Sequence, residues 1–415
     1  NPQSANTRNS ASSEEEVSTL SYFAEANLDY KGRYFLTFNS RSDASSIFGG
    51  DVRRAIFASL GGGWLISSEP FFNKDGLINT LKLRATYGST GNSRIGSYAA
   101  RGLYRIDSRF SYLGEGGIVP LTAENTRLSW EKNFKTDLAL DIGIGGRVTA
   151  TIEYYHNQIR DAISTIDVPY ESGFQRAEVN AADMLNSGWE FSFRSINVKN
   201  DRWQWTTNFN ISTNRNIVTD LKLKEEDIGS VTGFGLVEGR DVRTIYGTQY
   251  AGVDPYSGRS LWQLPDGSLT DDYTRARLLE NRVEIGSRNP NVFGGLTNNL
   301  RYGNWALSVI TSYSYGSDIF INNLYEQDGR QFFNNQSVNL LDRWRQPGNV
   351  ALVPRLFTDT PIINSSSRFV FDNDFLKIEN INLNYRFDSD LLKRFRLSSA
   401  SIFMQVSNLA YFYLE

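Results

Sequence analysis

The sequence predicts an all-β fold, a transmembrane antiparallel β-barrel. Three observations carry that expectation: residues alternate with a period of two, one face of each alternating run is free of charge, and short and long connections take turns along the chain. Composition agrees. Aromatic residues make up 13% of the 415 residues, as 26 Phe, 21 Tyr and 8 Trp, and 34 Gly stand against 10 Pro. That mix favours pleated strands joined by tight turns. Mean hydropathy is −0.40, and no apolar run approaches the roughly 18 residues that a spanning helix needs. Alternating strands average out to such a value, so a barrel remains open.

Charged residues are 21% and the formal net charge is −3, with no long block of one sign. That excludes the basic footprint of a nucleic-acid binder. There is no Cys, which removes disulfides, thiolate metal sites and cysteine nucleophiles. The chain starts at Asn1 without a signal-peptide pattern, so any export signal is expected outside it. Residues 1–19 are polar, include Glu14-Glu15-Glu16, and read as a loop segment leading into a barrel domain over residues 20–415.

In the first alternating run Leu20, Tyr22, Ala24, Ala26, Leu28 and Tyr30 share one face, with Ser21, Glu25, Asn27 and Asp29 on the other. Further uncharged faces are Leu81 to Tyr87, Phe134 to Ile142, Val148 to Tyr154, Trp203 to Ile211 and Trp305 to Tyr313, each taken at every second residue. Lys82, Arg84, Lys135, Asp137, Asp141, Arg147 and Glu153 fall on the opposite faces. A lipid-facing Arg or Lys costs about 2–4 kcal/mol at the bilayer midplane, so a barrel wall excludes charge from one face only. The runs also approach the roughly 9–11 residues that a tilted strand needs to cross a membrane, against about 5–6 in a soluble sandwich.

Very short connections fall at Lys31-Gly32, Gly145-Gly146 and Gly303-Asn304, beside Tyr30, Tyr34, Tyr302 and Trp305. Gly and Asn tolerate the positive φ of tight hairpins. Asp254-Pro255-Tyr256-Ser257-Gly258 reads as a further short turn. Long polar connections are expected at Ser89–Arg127, Asn157–Gly188, Asn216–Val242, Asp266–Asn289 and Ser317–Ser366. The scheme gives about fourteen strands with unbroken parity, as expected for short periplasmic turns and long external loops.

Several strings then resemble the SusC-like TonB-dependent transporters of Bacteroidetes-type bacteria. Arg41-Ser42-Asp43-Ala44-Ser45-Ser46-Ile47-Phe48-Gly49 is similar to that family's R-x-D-G-S-S-x-F-G, with Ala44 in place of Gly. Ser89-Thr90-Gly91-Asn92, Leu128-Ser129-Trp130-Glu131, Asn186-Ser187-Gly188-Trp189-Glu190, Gly252-Val253-Asp254-Pro255, Glu284-Ile285-Gly286-Ser287, Asp342-Arg343-Trp344, Phe375 to Ile381 and Ser407-Asn408-Leu409 follow in the family's order. The resemblance implies a barrel of about 22 strands, of which this chain is the C-terminal two-thirds. The family's plug, TonB-binding segment and closing strand are not visible in it. It also implies import of large nutrients, oligosaccharides or peptides, across the cell outer membrane. The partners implied are a SusD-like surface lipoprotein acting as a lid, the TonB complex acting through a plug-side segment, and outer-membrane lipid. Two alternatives stand beside it: a TonB-dependent receptor for iron or cobalamin chelates, and a surface β-rich adhesin.

Nothing points to an enzyme or a cofactor. The lone His156 has no second His or Cys beside it and reads as structural. Glu225-Glu226-Asp227 and Asp271-Asp272 could offer oxygen ligands to calcium, but loop charge is the default reading. Gly233-Phe234-Gly235 lacks the spacing and strand-to-helix context of a nucleotide fingerprint. Trp203, Trp205, Trp305 and Tyr302 read as an interface girdle. The aromatics of the long loops, Tyr98, Tyr104, Phe110, Tyr112, Tyr170, Phe174, Phe332 and Phe333, are the candidate substrate contacts, with packing inside the loops as the competing role. Asp342-Arg343-Trp344 reads as an ion-pair and stacking unit that pins the largest loop.

Overall fold

The computed structural model describes residues 15–413, apart from 94, 99, 113–114, 169, 175, 223–235, 326, 328–334, 357–362, 364, 389–391 and 395. The chain opens with a hairpin of β1 (Thr19–Tyr30) and β2 (Tyr34–Ser45), followed by β3 (Arg54–Leu65) and β4 (Ile78–Asn92). The next connection carries its own short pair, β5 (Leu103–Tyr112) and β6 (Glu115–Thr122), before β7 (Glu131–Ile144). The long strands β8 (Val148–Asp167) and β9 (Arg176–Lys199) precede β10 (Trp203–Thr213) and β11 (Arg215–Leu221), which folds back on β9. An excursion then holds β12 (Thr244–Gly247), β13 (Gln249–Val253), β14 (Ser260–Gln263), β15 (Leu269–Thr270), the single turn α1 (Tyr273–Ala276) and β16 (Val283–Ser287). After β17 (Val292–Tyr302) and β18 (Trp305–Tyr315), a second excursion contains β19 (Asp318–Phe320), α2 (Asn322–Tyr325) and β20 (Val370–Asp372). The described chain finishes with β21 (Phe375–Arg386) and β22 (Ser401–Tyr413).

One antiparallel sheet forms the wall, in the order β1-β2-β3-β4-β7-β8-β9-β10-β17-β18-β21-β22. Its register sets the uncharged faces side by side. Leu28 lies opposite Leu36, Leu83 opposite both Trp64 and Leu140, and Leu140 opposite Ile152. Phe209 lies opposite Leu296, Leu300 opposite Leu307, and Leu383 opposite Met404. Slipping any pair by one residue would turn a polar face outward, so the apolar band fixes the register. A strand of 12 residues such as β1, rising about 3.3 Å per residue and tilted about 45°, covers roughly 28 Å of hydrocarbon.

The turns follow the backbone chemistry. Lys31 and Gly32 have φ of 58° and 64°, and Gly145 and Gly146 have φ of 57° and 64°. Each pair forms a type I′ turn closed by Arg33 N donating to Tyr30 O at 3.2 Å or Arg147 N donating to Ile144 O at 3.1 Å. These connections are one residue longer than the two-residue loops expected.

Two other expectations change. Among the described residues the wall has twelve strands, with β11 added on β9, where the sequence suggested about fourteen. The surplus pair is β13 and β14, whose 5 and 4 residues are too short to cross a bilayer, and which pair with β15 in a separate sheet of the excursion. Removing two strands together leaves the parity intact. The supposed long connection Asn157–Gly188 is mostly strand: β8 and β9 run on as a hairpin to Asp167 and Arg176. The hairpin bends at a bulge around Asp161, which has φ 57°.

Candidate functional site

Concavities of about 740, 240 and 310 Å³ open on the polar face of the wall. Its two ends differ in chemistry. Across β2, β4, β7 and β8 several charges hold one another. Arg41 donates twice to Asp43, at 2.6 and 2.8 Å. Arg84 donates twice to Asp141, at 2.9 and 3.3 Å, and reaches Glu153 at 3.6 Å. Thr86 donates to Asp137 at 3.0 Å. Across β10, β17, β18 and β21 the concavity is lined mainly by uncharged polar side chains, Gln204, Thr206, Asn299, Ser308, Asn382 and Asn384, with Arg301 beside them.

At the long-loop rim the two excursions are locked into one body. The Trp344 indole donates to Pro255 O at 2.8 Å, and Gly348 N donates to the same carbonyl at 2.8 Å. Tyr250 Oη donates to Leu352 O at 2.8 Å, and Tyr250 N to Ser367 Oγ at 2.8 Å. Thr248 pairs with Ser366 in an isolated parallel bridge. Trp262, Ala276 and Ile363 form the buried centre of this body. Its turn is set by Asp254, which accepts from Tyr256 N at 2.8 Å and Ser257 Oγ at 2.9 Å. Those bonds, the Tyr256 amide first, hold the Asp254 carboxyl below the usual carboxylate range.

At the opposite rim, Trp203 and Tyr302 have ring centroids 4.4 Å apart, and Trp305 and Tyr385 4.7 Å. Trp205 follows on the same outward face. Tyr30, Tyr34 and Trp64 form a second chain of rings there. Behind them Glu69, only 7% exposed, accepts from the Trp64 indole at 3.0 Å and from Arg33 at 3.2 Å. The Tyr34 hydroxyl first, then Trp64 and Arg33, hold its carboxyl below the usual range.

The candidate loop aromatics are not gathered into one cluster. Tyr98 is half-buried and its hydroxyl accepts from Glu16 N at 3.0 Å, which ties the segment before β1 to the β4–β7 connection. Tyr104 is 66% exposed and lies opposite Pro120 on the β5–β6 hairpin, beside the exposed cross-strand pair Ile106 and Ile118. Phe110 and Tyr112 belong to the same hairpin by backbone position. Tyr170 lies in the turn Tyr170–Ser172 at the β8–β9 tip, and Phe174 beside it is half-buried. Phe332 and Phe333, with Glu225-Glu226-Asp227 and Gly233-Phe234-Gly235, lie outside the described residues.

His156 sits in β8 between Thr136 and Ser187. Asp271 pairs with Arg259 at 3.2 Å, and Asp272 caps α1 by accepting from Thr274 N and Arg275 N. Asp342-Arg343-Trp344 works through backbone rather than an internal ion pair: Arg343 donates to Leu340 O at 3.0 Å, and Trp344 does the pinning. Sequence reasoning did not single out this amide-rich stretch, although Asn208 and Asn210 alternate in β10 and Asn380, Asn382 and Asn384 in β21.

Comparison with known proteins agrees with this architecture. The family described as TonB dependent receptor-like, beta-barrel, matches residues 1–325. TonB-dependent receptor P39 of Formosa agariphila is 28% identical over 423 residues, covering 90% of this chain and 40% of that protein. TonB-dependent receptor SusC of Bacteroides thetaiotaomicron is 32% identical over 209 residues, which is 49% of this chain and 21% of that one. The structure of the RagAB peptide transporter superimposes with a TM-score of 0.85 at 25% identity, over 99% of this chain and 46% of that one. The chain thus spans less than half the length of the relatives it matches. It belongs to the TonB-dependent receptor family and forms part of that family's outer-membrane β-barrel.

Proposed function

We propose that this chain supplies barrel wall and external loops to a TonB-dependent importer of large nutrients, oligosaccharides or peptides. A SusD-like surface lipoprotein covers the loops, and the TonB complex acts from the periplasmic side through a plug-side segment. The observation that carries this reading is the likeness to the RagAB peptide transporter along 99% of the chain. The locked loop body supports it, because a lid needs a rim that holds its shape. Exposed loop aromatics, Tyr104 first, are the proposed solute contacts, and no covalent chemistry on the solute is required.

Affinity purification of the full-length protein from outer membranes, with mass spectrometry of what accompanies it, tests the reading. Stoichiometric recovery of a SusD-like lipoprotein is the expected result. A barrel recovered without a lid would favour a receptor for iron or cobalamin chelates. Recovery from a soluble fraction would favour the adhesin.

A further inference from the structure

The short-turn rim of the wall carries cations at points where its backbone would be better served by glycine. Among the described residues, four other than glycine have positive φ: Lys31, Asp161, Arg396 and Asn408. Asp and Asn accept that conformation because their short polar side chains bond locally. Lys and Arg have no such compensation, and both stand at the short-turn rim. Lys31, at φ 58°, opens the Lys31-Gly32-Arg33 turn, in a position that type I′ geometry gives to Asn, Asp or Gly. Arg396, at φ 57°, lies in the β21–β22 connection. There Leu397 N donates to Leu392 O at 3.1 Å, and Arg396 N to Lys393 O at 3.1 Å. These two bonds form a Schellman motif, which puts Arg396 where glycine is the usual residue.

Both cations adjoin the outward aromatic girdle. Lys31 Nζ lies 5.0 Å from the centre of the Tyr30 ring, and Tyr30 belongs to the uncharged face. The β21–β22 connection leaves the wall through Phe387, two residues beyond Tyr385 on the same face, with their rings edge to face at 5.2 Å. Arg394 and Arg396 are exposed, as is Leu397 at 52%, while Leu392 is buried and anchors the turn. The carboxylate of Asp388 in the same connection is engaged by the Asn304 amide. Two further hairpin turns of this rim, Gly145-Gly146-Arg147 and Asn200-Asp201-Arg202, each end on an exposed Arg. Arg33 differs, since it turns to Glu69.

The rings of an interface girdle lie at headgroup level, so cations beside them meet the phosphates of the lipid. A guanidinium can hold two phosphate oxygens at once, and backbone strain persists where the side chain it carries has a task. We propose that Lys31, Arg394 and Arg396, with Arg147 and Arg202 between them along the wall, bind the phosphodiester headgroups of anionic phospholipid in the leaflet at the short-turn rim. This site goes beyond the importer reading: it depends on the wall standing in the outer membrane and not on which solute is carried.

The left-handed positions make the test clean, because glycine fits them without strain. Lys31→Gly, and Arg396→Gly combined with Arg394→Gln, are made in the full-length protein. Arg127→Gln, exposed in the β6–β7 connection at the opposite rim, is the control. Each purified protein is given phosphatidylcholine and phosphatidylglycerol of equal chain length in equal amounts. Intact mass spectrometry then counts the lipids retained, and melting temperatures are taken in each lipid alone.

The parent is expected to retain phosphatidylglycerol in preference to phosphatidylcholine. That preference falls by roughly fivefold for each cation removed, the gain expected of one Lys or Arg at an anionic surface. Arg127→Gln keeps the parental preference, and soluble glycerol phosphate displaces no lipid. In phosphatidylcholine the glycine variants melt at or above the parental temperature. No preference in the parent, an equal loss from Arg127→Gln, or displacement of the lipid by glycerol phosphate overturns the proposal. Melting temperatures that fall equally in both lipids would assign the cations to a protein contact and overturn it as well. None of these outcomes touches the importer reading, whereas a protein that takes up neither lipid would overturn the membrane placement itself.

Discussion

Trp344 lies flat against Gly258, where an added Cβ would come within 2.4 Å of the indole Cε3. Gly258 also has φ 71°, a left-handed conformation, which costs an L-residue roughly 1–2 kcal/mol. One glycine therefore provides both the turn and the seat for the ring that joins the two excursions. Gly258→Ala is expected to uncouple them while leaving the wall assembled. Limited proteolysis of intact cells checks this, with new cleavage between residues 338 and 356 as the predicted outcome and no barrel fragments.

Phe48 is 1% exposed and its ring centroid lies 4.5 Å from that of Trp130. The two hold the β2–β3 connection against the residues that lead into β7, and Trp130 Nε1 donates to Arg53 O at 2.9 Å. Phe48→Ala is predicted to cost about 3–5 kcal/mol, the range for a buried aromatic truncated to Ala. Chemical denaturation of the purified protein in detergent measures it.

Glu69 gives a pH signature. Its carboxyl is held below the usual range, so its contribution is complete above the unfolded glutamate pKa of about 4.3 and is lost as pH falls through the depressed native value. Glu69→Gln removes that titration. The gap in melting temperature between parent and Glu69→Gln is expected to stay constant from about pH 7 to 5 and to close below about pH 4. A gap that widens on acidification would mean that Glu69 does not act as a carboxylate.

The wall was legible because strand alternation is local: each residue of Leu20 to Tyr30 reveals its side of the sheet through its nearest neighbours. Loop packing was not, because Trp344 and Gly258 meet only after two excursions have folded. Asp254 to Gly258 carries the same chemistry as a rim turn, and only the shortness of the flanking β13 and β14 reveals that it belongs to a loop. Three glycines in the strings that resemble the family stand at points of close packing. A Cβ on Gly49 would come within 1.8 Å of Thr126 O, on Gly91 within 2.2 Å of Phe57, and on Gly188 within 2.0 Å of Thr213 O. The substrate contacts expected from loop aromatics had no such local signal, since an exposed Tyr104 and a packed Tyr98 look alike in sequence.

The central claim is that one face of this sheet meets lipid and the other an aqueous interior, and two neighbours in β18 test it most directly. Val309 lies opposite Asn298 and Ile381 on the uncharged face, and Ser308 opposite Asn299 and Asn382 on the polar face. Val309→Arg is predicted to destabilise the barrel by about 2–4 kcal/mol and to deplete it from outer membranes, whereas Ser308→Arg folds at near-parental levels. Equal tolerance of the two substitutions, or greater damage from Ser308→Arg, would contradict the assignment.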